Sequence, residues 1–347
     1  NESGYIKGHN SLRTQRITRM AERARYRLIL TGTPLSQGVV DLYAQMRFLS
    51  WRILGYKSFY SFARNHLEYS ERYPGMIVAA HNVPYLAAKV QPYSYQVTKD
   101  ECMDLPAKSY ATRWYGMTRE QRQWYEQAKQ DLLLGLDDYG DLDSYTIFRL
   151  FTALQQITCG FWNRKHDDGS VETVTFPHVR LDVFAATVAQ IPAGEKAVIW
   201  SKYRRNIEEI VALLSEEYGA GSVAQFHGGL SERARNAEIE RFRNGARFLV
   251  ATQASGGHGL TLNEAGYHIF YSNGFKYAER IQAEDRSHRI GQTRNVHYID
   301  IVCDSSIDER IASALIDKAD ALEQFKRQVD KVKDKRSAEV RKLVAGL

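Results

Sequence analysis

The chain has 347 residues, enough for about two domains, and its 44% hydrophobic and 25% charged residues are the balance of a globular protein rather than a disordered or fibrous one. No apolar run approaches the ~18 residues a membrane span needs and the first residues form no secretory signal, so no membrane partner is expected. Net charge +6 and a pI near 9.0 are compatible with a polyanionic partner without requiring one. Cys102, Cys159 and Cys303 are odd in number and far apart, which suggests neither a disulfide framework nor a zinc motif and predicts a reducing, intracellular compartment (cytoplasmic if the source is prokaryotic or viral).

Residues 11–27 carry six arginines on a predicted helix, with Arg16, Arg19 and Arg23 on one face, which suits a solvated basic face ahead of direct phosphate contact. Leu28-Ile29-Leu30 reads as a short buried strand running into Thr31-Gly32-Thr33-Pro34-Leu35. Thr33 suits an N-cap and Pro34 a first helical residue, so a helix is predicted to start there. Residues 51–175 are rich in aromatics and mostly helical, with predicted amphipathic helices over 121–134 and 146–159, whose aromatics suit packing into helical bundles. Between them and the start of the chain, Leu105-Pro-Ala-Lys108 followed by residues 109–115 reads as the entry to a strand, and the polar stretch 163–169 reads as a linker.

From about Pro177 the pattern becomes regular. Strand-like runs at 197–200, 222–226, 248–251, 268–271 and 296–302 alternate with helical segments at 203–217, 231–243 and 278–290, which predicts a parallel sheet with helices on both faces. Ligands of such sheets bind beyond the carboxyl ends of the strands. The residues there are Ser201-Lys202, His227-Gly228-Gly229, Thr252 with the loop through Gly256, Gly257 and Gly259, and Ser272-Asn273. Three glycines in four positions suit either close backbone approach to a phosphate or a plain flexible loop. Next comes Gln282-Ala-Glu-Asp-Arg-Ser-His-Arg-Ile-Gly-Gln292. Read as a helix, it places Gln282, Arg286 and Arg289 on one face, Asp285 four residues before Arg289, and Gly291 as the stop. Two oriented guanidinium forks suit a triphosphate. Beyond it, residues 319–343 alternate charges with few apolar anchors, as a solvated helix or a frayed tail would.

This last string resembles motif VI of the Swi/Snf family of DNA-dependent ATPases, within the superfamily-two helicases; it meets Gln-x-x-Asp-Arg-x-x-Arg-Ile-Gly-Gln at every specified position. Leu30-Thr-Gly-Thr-Pro34 is similar to motif III, the strand ends match motifs IV, IVa and V, and Leu105-Pro-Ala-Lys108 resembles the segment that returns the family's chain to its first lobe. Asn1-Glu2 occupies the place of the acidic motif II, with Asn1 for Asp and Gly4 for His, and Phe275-Lys276-Tyr277 stands for Trp-Asn-Pro. The resemblance implies an α/β fold of RecA-like helicase lobes: a partial first lobe with a helical protrusion over 1–170, a complete second lobe over 171–318 and a charged helical tail over 319–347. It implies ATP and Mg²⁺ as cofactors and double-stranded DNA as partner. Arg286 and Arg289 would act as arginine fingers and Glu2 would polarise the attacking water; Asn1 and Glu2 would hold the metal, with Asn1 weakening that hold. Gly32, Thr33, Gly257, Gly259, Gln282 and Asp285 would serve the nucleotide; Ser201, Lys202, His227, Gly228 and Thr252 would serve DNA. No Gly-x-x-x-x-Gly-Lys-Ser/Thr phosphate loop occurs in the sequence. The chain is therefore expected to start inside the first lobe, to need an upstream polypeptide supplying that loop, and by itself not to hydrolyse ATP. The implied activity is movement on duplex DNA driven by ATP hydrolysis; the alternative is a non-catalytic DNA- or partner-binding protein derived from a degraded motor.

Overall fold

Two units divide the chain, Asn1–Glu101 and Cys102–Leu347. The computed structural model describes residues 3–32, 34–35, 38–71, 75–97, 99–139, 144–166, 168–256, 260–317 and 338–347.

The first unit is mostly helical. Helix α1 (Leu12–Ala21) starts where the Ser11 hydroxyl accepts from the Thr14 amide and ends well before the predicted residue 27. Arg23, Arg25 and Arg27 therefore lie outside it, and Arg27 instead donates to Phe48 O and Leu49 O, the carbonyl end of α2 (Val40–Leu49), where a cation offsets the helix dipole. The strand expected at 28–30 is absent: Leu28 and Leu30 are 77% and 50% exposed, and no strand among the described residues pairs with them. The helix expected from Pro34 begins only at Val40, because Gly38 with φ +95° breaks the run; Thr33 lies outside the described residues. Then follow α3 (Trp51–Leu54), α4 (Phe59–His66), the hairpin β1 (Leu67–Tyr69) and β2 (Ile77–Ala80), α5 (Val83–Val90) and α6 (Lys99–Cys102). Leu42, Met46, Ile53, Leu54, Phe62, Leu67 and Leu86 form the core of this unit.

In the second unit the order is β3 (Lys108–Tyr115), α7 (Arg119–Tyr139), α8 (Ser144–Thr158), β4 (Phe161–Lys165), β5 (Val171–Thr175), α9 (Arg180–Ala189), β6 (Lys196–Ser201), α10 (Arg204–Tyr218), β7 (Val223–Phe226), α11 (Glu232–Asn244), β8 (Phe248–Thr252), α12 (Gln253–Gly256), β9 (Ala265–Phe270), α13 (Tyr277–Glu284), β10 (Val296–Cys303), α14 (Ile307–Ile316) and α15 (Ala338–Ala345). Six strands pair in the order β3-β10-β9-β6-β8-β7, every pair parallel. Alternate residues of each strand enter opposite layers: Ala197 and Ile199 pack with Phe184, Ile207 and Ile210 on one face, and Val198 and Trp200 with Phe242, Phe270 and Ala283 on the other. A sheet buried on both faces is what the parallel arrangement requires.

Three expectations are corrected here. Strand β3 pairs along all eight residues with β10, in the sheet of the second unit rather than in the first unit; strand pairing is a long-range choice that a short motif does not encode. The supposed linker at 163–169 is an antiparallel hairpin of β4 and β5, its turn closed by Ser170 donating to Asp168 and by Gly169 at φ +84°. Polar turn residues made it read as a linker. Finally, α13 ends at Glu284, not at 290, so the arginine pair does not share a helical face.

Candidate functional site

Parallel strands bring their carboxyl ends to one edge of the sheet. Ser201 and Thr252 sit side by side there in the β6–β8 ladder. Ser201 points inward: its hydroxyl is fully buried, donates to Tyr203 O at 3.2 Å and lies 3.3 Å from Ser272 Oγ. Lys202 also turns in. Its ammonium donates to Gln155 Oε1 at 2.9 Å and stands 3.0 Å from the Phe275 ring centre, so this side chain does not reach for an external phosphate. Burial pushes its pKa down to about 7.

That shift carries a prediction. Unfolded Lys202 titrates near 10.5 and the folded group near 7, so folding releases a proton between those values. The penalty is complete below about pH 7 and fades as pH rises towards 10.5. Lys202→Met should raise stability by up to about 4 kcal/mol at pH 7, by the conversion of 1.36 kcal/mol per pKa unit, and by much less at pH 10. Urea unfolding at the two pH values checks this; an equal gain at both would place the cause in packing instead.

His227 is buried and its Nδ1 accepts from the Gly229 amide at 3.2 Å. Burial, then the Arg204 guanidinium, hold its pKa below the usual imidazole range. Gly228 is exposed. A Cβ on Gly229 would come within 2.8 Å of Arg204 Nη1, so the Arg204 side chain lies directly against the turn after β7. Thr252 donates to Ser255 Oγ at 2.7 Å, and a Cβ on Gly228 would stand 3.9 Å from that same hydroxyl. The exposed surface at this edge is thus the Gly228–Gly229 backbone and Arg204, with the half-buried Thr252 beside them and Ser255 buried behind. Arg204 escaped the sequence reading, which held Ser255 only as part of the loop after β8. The signal was present for Arg204, because two arginines, Arg204 and Arg205, open α10 against its own dipole, which an anion there would offset.

The arginine pair sits in the turns after α13. Arg286 O accepts from Leu262 N at 2.9 Å, Ser287 Oγ donates to Leu262 O at 2.8 Å, and Arg289 Nη1 donates to Thr261 Oγ1 at 3.1 Å. Gln292 Nε2 donates to Asn263 O at 3.1 Å and Asn263 Nδ2 to Ile290 O at 2.9 Å. Residues 261–263, just beyond the glycine loop, are laced to the arginine turns at five points. Gln282 is half-buried on α13 and Asp285 caps its end. Arg280 and Glu284 root that helix, Arg280 pairing with Glu284 at 2.8 Å and Asp300 at 3.0 Å. Glu284 also accepts from Tyr110 at 2.9 Å, tying β3 to the site.

Asn1, Glu2, Thr33, Gly257 and Gly259 lie outside the described residues, and Gly32 is exposed in the first unit. Among the described residues, no group of three or more His, Cys, Asp or Glu side chains could hold a metal. A polyphosphate fits better: Arg286 and Arg289 are partly exposed guanidinium groups on a backbone held by hydrogen bonds, Arg289 resting on Thr261 Oγ1.

Residues 181–291, which hold most of the parallel sheet and the arginine-bearing turns beyond its strand ends, match the helicase conserved C-terminal domain. Residues 1–161 match the SNF2-related domain, and the chain belongs to the Swi/Snf family of helicase-like ATPases. It is 27% identical over 305 residues to a zebrafish (Danio rerio) chromodomain-helicase-DNA-binding protein 1-like, covering 84% of this chain and 28% of that protein. With an uncharacterised ATP-dependent helicase of Mycoplasma pneumoniae it shares 23% over 309 residues, 87% of this chain and 28% of the relative. The fold is similar to the Sulfolobus solfataricus SWI2/SNF2 ATPase core in complex with dsDNA, with a TM-score of 0.52 and 24% identity over 99% of this chain and 71% of that one. The chain spans less than a third of the length of these two curated relatives.

Proposed function

We propose that this chain forms part of an ATP-dependent translocase of Swi/Snf type, which couples ATP hydrolysis to movement along duplex DNA. The observation that carries the reading is the placement of Arg286 and Arg289 on turns bonded to the segment after the glycine loop. Two guanidinium groups held there would grip phosphate oxygens and stabilise charge on the transferring phosphoryl group. Glu2 would orient the attacking water and take up its proton. Mg²⁺, when bound with ATP, supplies charge neutralisation between the phosphates; Asn1 and Glu2 would hold it, and an amide brings no negative charge to that task. The duplex would rest on the Gly228–Gly229 backbone, Thr252 and Arg204. A site that works on ATP and duplex DNA would act inside the cell.

The experiment is DNA-stimulated phosphate release against Mg²⁺ concentration, in a protein that carries a phosphate loop with this chain. A low rate with a raised Mg²⁺ requirement is expected, and Asn1→Asp should increase it. A rate that stays at background in both would favour the second reading, a DNA- or partner-binding protein derived from a motor, for which Asn1 is the supporting observation.

Contacts to backbone phosphates carry no sequence information and release counterions. Affinity should therefore fall at least tenfold between 50 and 200 mM salt, a range in which several phosphate contacts cost orders of magnitude, and differ little between duplex sequences. Titration of random and defined duplexes at the two salt concentrations checks this; a preference above ~100-fold, roughly 2.7 kcal/mol, would mean that base edges are read.

A further inference from the structure

The turns that carry Arg286 and Arg289 follow the end of α13 and keep only a few helix-type backbone bonds, such as His288 N to Glu284 O at 3.2 Å, so side-chain ties must also set their shape. Ser287, next to Arg286, is fully buried, as is His268 in the middle of β9. Ser287 Oγ lies 2.6 Å from His268 Nε2 and 2.8 Å from Leu262 O. On the other side of the ring, Nδ1 is 3.0 Å from Trp200 Nε1 on β6. An indole nitrogen only donates, so Nδ1 accepts and the imidazole proton sits on Nε2. That proton goes to Ser287 Oγ, whose own hydrogen is left for Leu262 O. One directed chain, Trp200 to His268 to Ser287 to Leu262, thus runs from the sheet to the arginine turn with every donor and acceptor used. Burial drives the imidazole pKa down to about 3, so the ring stays neutral and the chain intact at any ordinary pH. The serine's backbone takes part as well, its carbonyl accepting from the Arg289 amide at 3.1 Å and from Gln292 Nε2 at 3.3 Å.

We propose that Ser287 and His268 are positioning residues: a buried latch that pins the turn between the two arginines to the sheet and so sets where both guanidinium groups stand. The catalytic part of this inference rests on the phosphate-gripping reading of Arg286 and Arg289 given above; the geometric part does not. An alanine at 287 would fill the core nearly as well, so the hydroxyl adds direction rather than volume. A latch of this kind acts on the transition state more than on nucleotide affinity, because misplaced donors forfeit charge stabilisation while ground-state contacts are kept.

Two measurements on Ser287→Ala and the hydroxyl-keeping Ser287→Thr test it. In the 347-residue chain, nitrogen relaxation at the Nε–H groups of Arg286 and Arg289 reports their order. The order parameters are expected to be near that of rigid structure in the natural protein, about 0.8, to fall below about 0.6 in Ser287→Ala, and to recover in Ser287→Thr, while amides of β9 and β10 stay unchanged. Unchanged arginine order in Ser287→Ala overturns the latch. So does equal loosening of the strand amides, which would mean general damage to the core. If Ser287→Thr fails to fold, Ser287→Cys takes its place with the same expectation. The second measurement is ATP turnover in the phosphate-loop-bearing protein. Ser287→Ala should lower kcat at least tenfold with KM for ATP changed less than about threefold. A full kcat in Ser287→Ala, beside a dead Arg286→Ala, sinks the latch and leaves the motor reading standing. A full kcat in Arg286→Ala sinks the motor reading, and the relaxation result then decides the latch alone.

Discussion

Replacing Arg286 or Arg289 by alanine should lower DNA-stimulated ATP turnover about 10³-fold or more in a protein that carries the phosphate loop, with duplex affinity nearly unchanged. Arginine fingers contribute ~10³–10⁵ in rate, about 4–7 kcal/mol at 1.36 per tenfold, and they act on charge that develops in the transition state. The two variants are not equivalent. Arg286 meets Leu262 through its backbone carbonyl, which alanine retains, so Arg286→Ala removes the guanidinium and keeps that tie. Arg289 binds Thr261 and Leu260 through its side chain, so Arg289→Ala also frees the segment after the glycine loop. Arg289→Lys should not rescue it, because an ammonium lacks the planar fork. Turnover and duplex affinity, measured on the same preparations, separate the outcomes. Loss of DNA binding in step with turnover would move these arginines from the nucleotide to the duplex.

The second large effect concerns stability. Arg180 is fully buried and pairs with Asp308, also buried, between the Tyr115 and Tyr271 rings at 5.2 and 5.5 Å. Asp308 further accepts from the Cys303 amide at 3.2 Å, and Arg180 donates to Ile301 O at 3.3 Å. Removing one partner leaves an uncompensated charge in a dry interior, so Asp308→Ala should cost about 3–5 kcal/mol. Replacing both, as Arg180→Met with Asp308→Leu, should recover much of the loss. Recovery should stop short of the natural stability, because the Cys303 amide and the Ile301 carbonyl lose these partners, at about 1–3 kcal/mol for each group left unmet. Urea unfolding of the single and double variants measures this. A double variant as unstable as Asp308→Ala would show that the two residues act separately.

The pair also marks where the sequence stops being legible. Arg180 and Asp308 stand 128 positions apart, on α9 and α14; the stretch around Asp308 fits the family's closing helix, but nothing in it names Arg180 as a partner, and only closure of the sheet brings them together. In contrast, the strands at 197–200, 248–251 and 296–302 were readable to within a residue or so, because each is a short apolar run between turn residues, and local hydrophobicity suffices for an element buried on both faces. The arginine string was legible too, since a specific pattern survives whatever backbone carries it. Its conformation was not. Helical spacing favoured one continuous helix to 290, whereas the structure ends the regular helix at Glu284, and the turns that follow bond to residues 261–263.

The same reason accounts for Lys202 and Ser201. Their position at the end of β6 followed from alternation, but whether a side chain faces solvent or core depends on neighbours contributed by α8 and the turn after β9. Gln155 and Phe275 draw Lys202 inward. By itself the sequence determined the family, the parallel sheet and the residues available at its edge, all of which rest on local pattern and composition. Tertiary structure alone decided which of those residues face outward, where β3 pairs and what holds the arginines. Those choices are made by hydrogen bonds and packing between segments tens to hundreds of residues apart, and local preference carries no record of them.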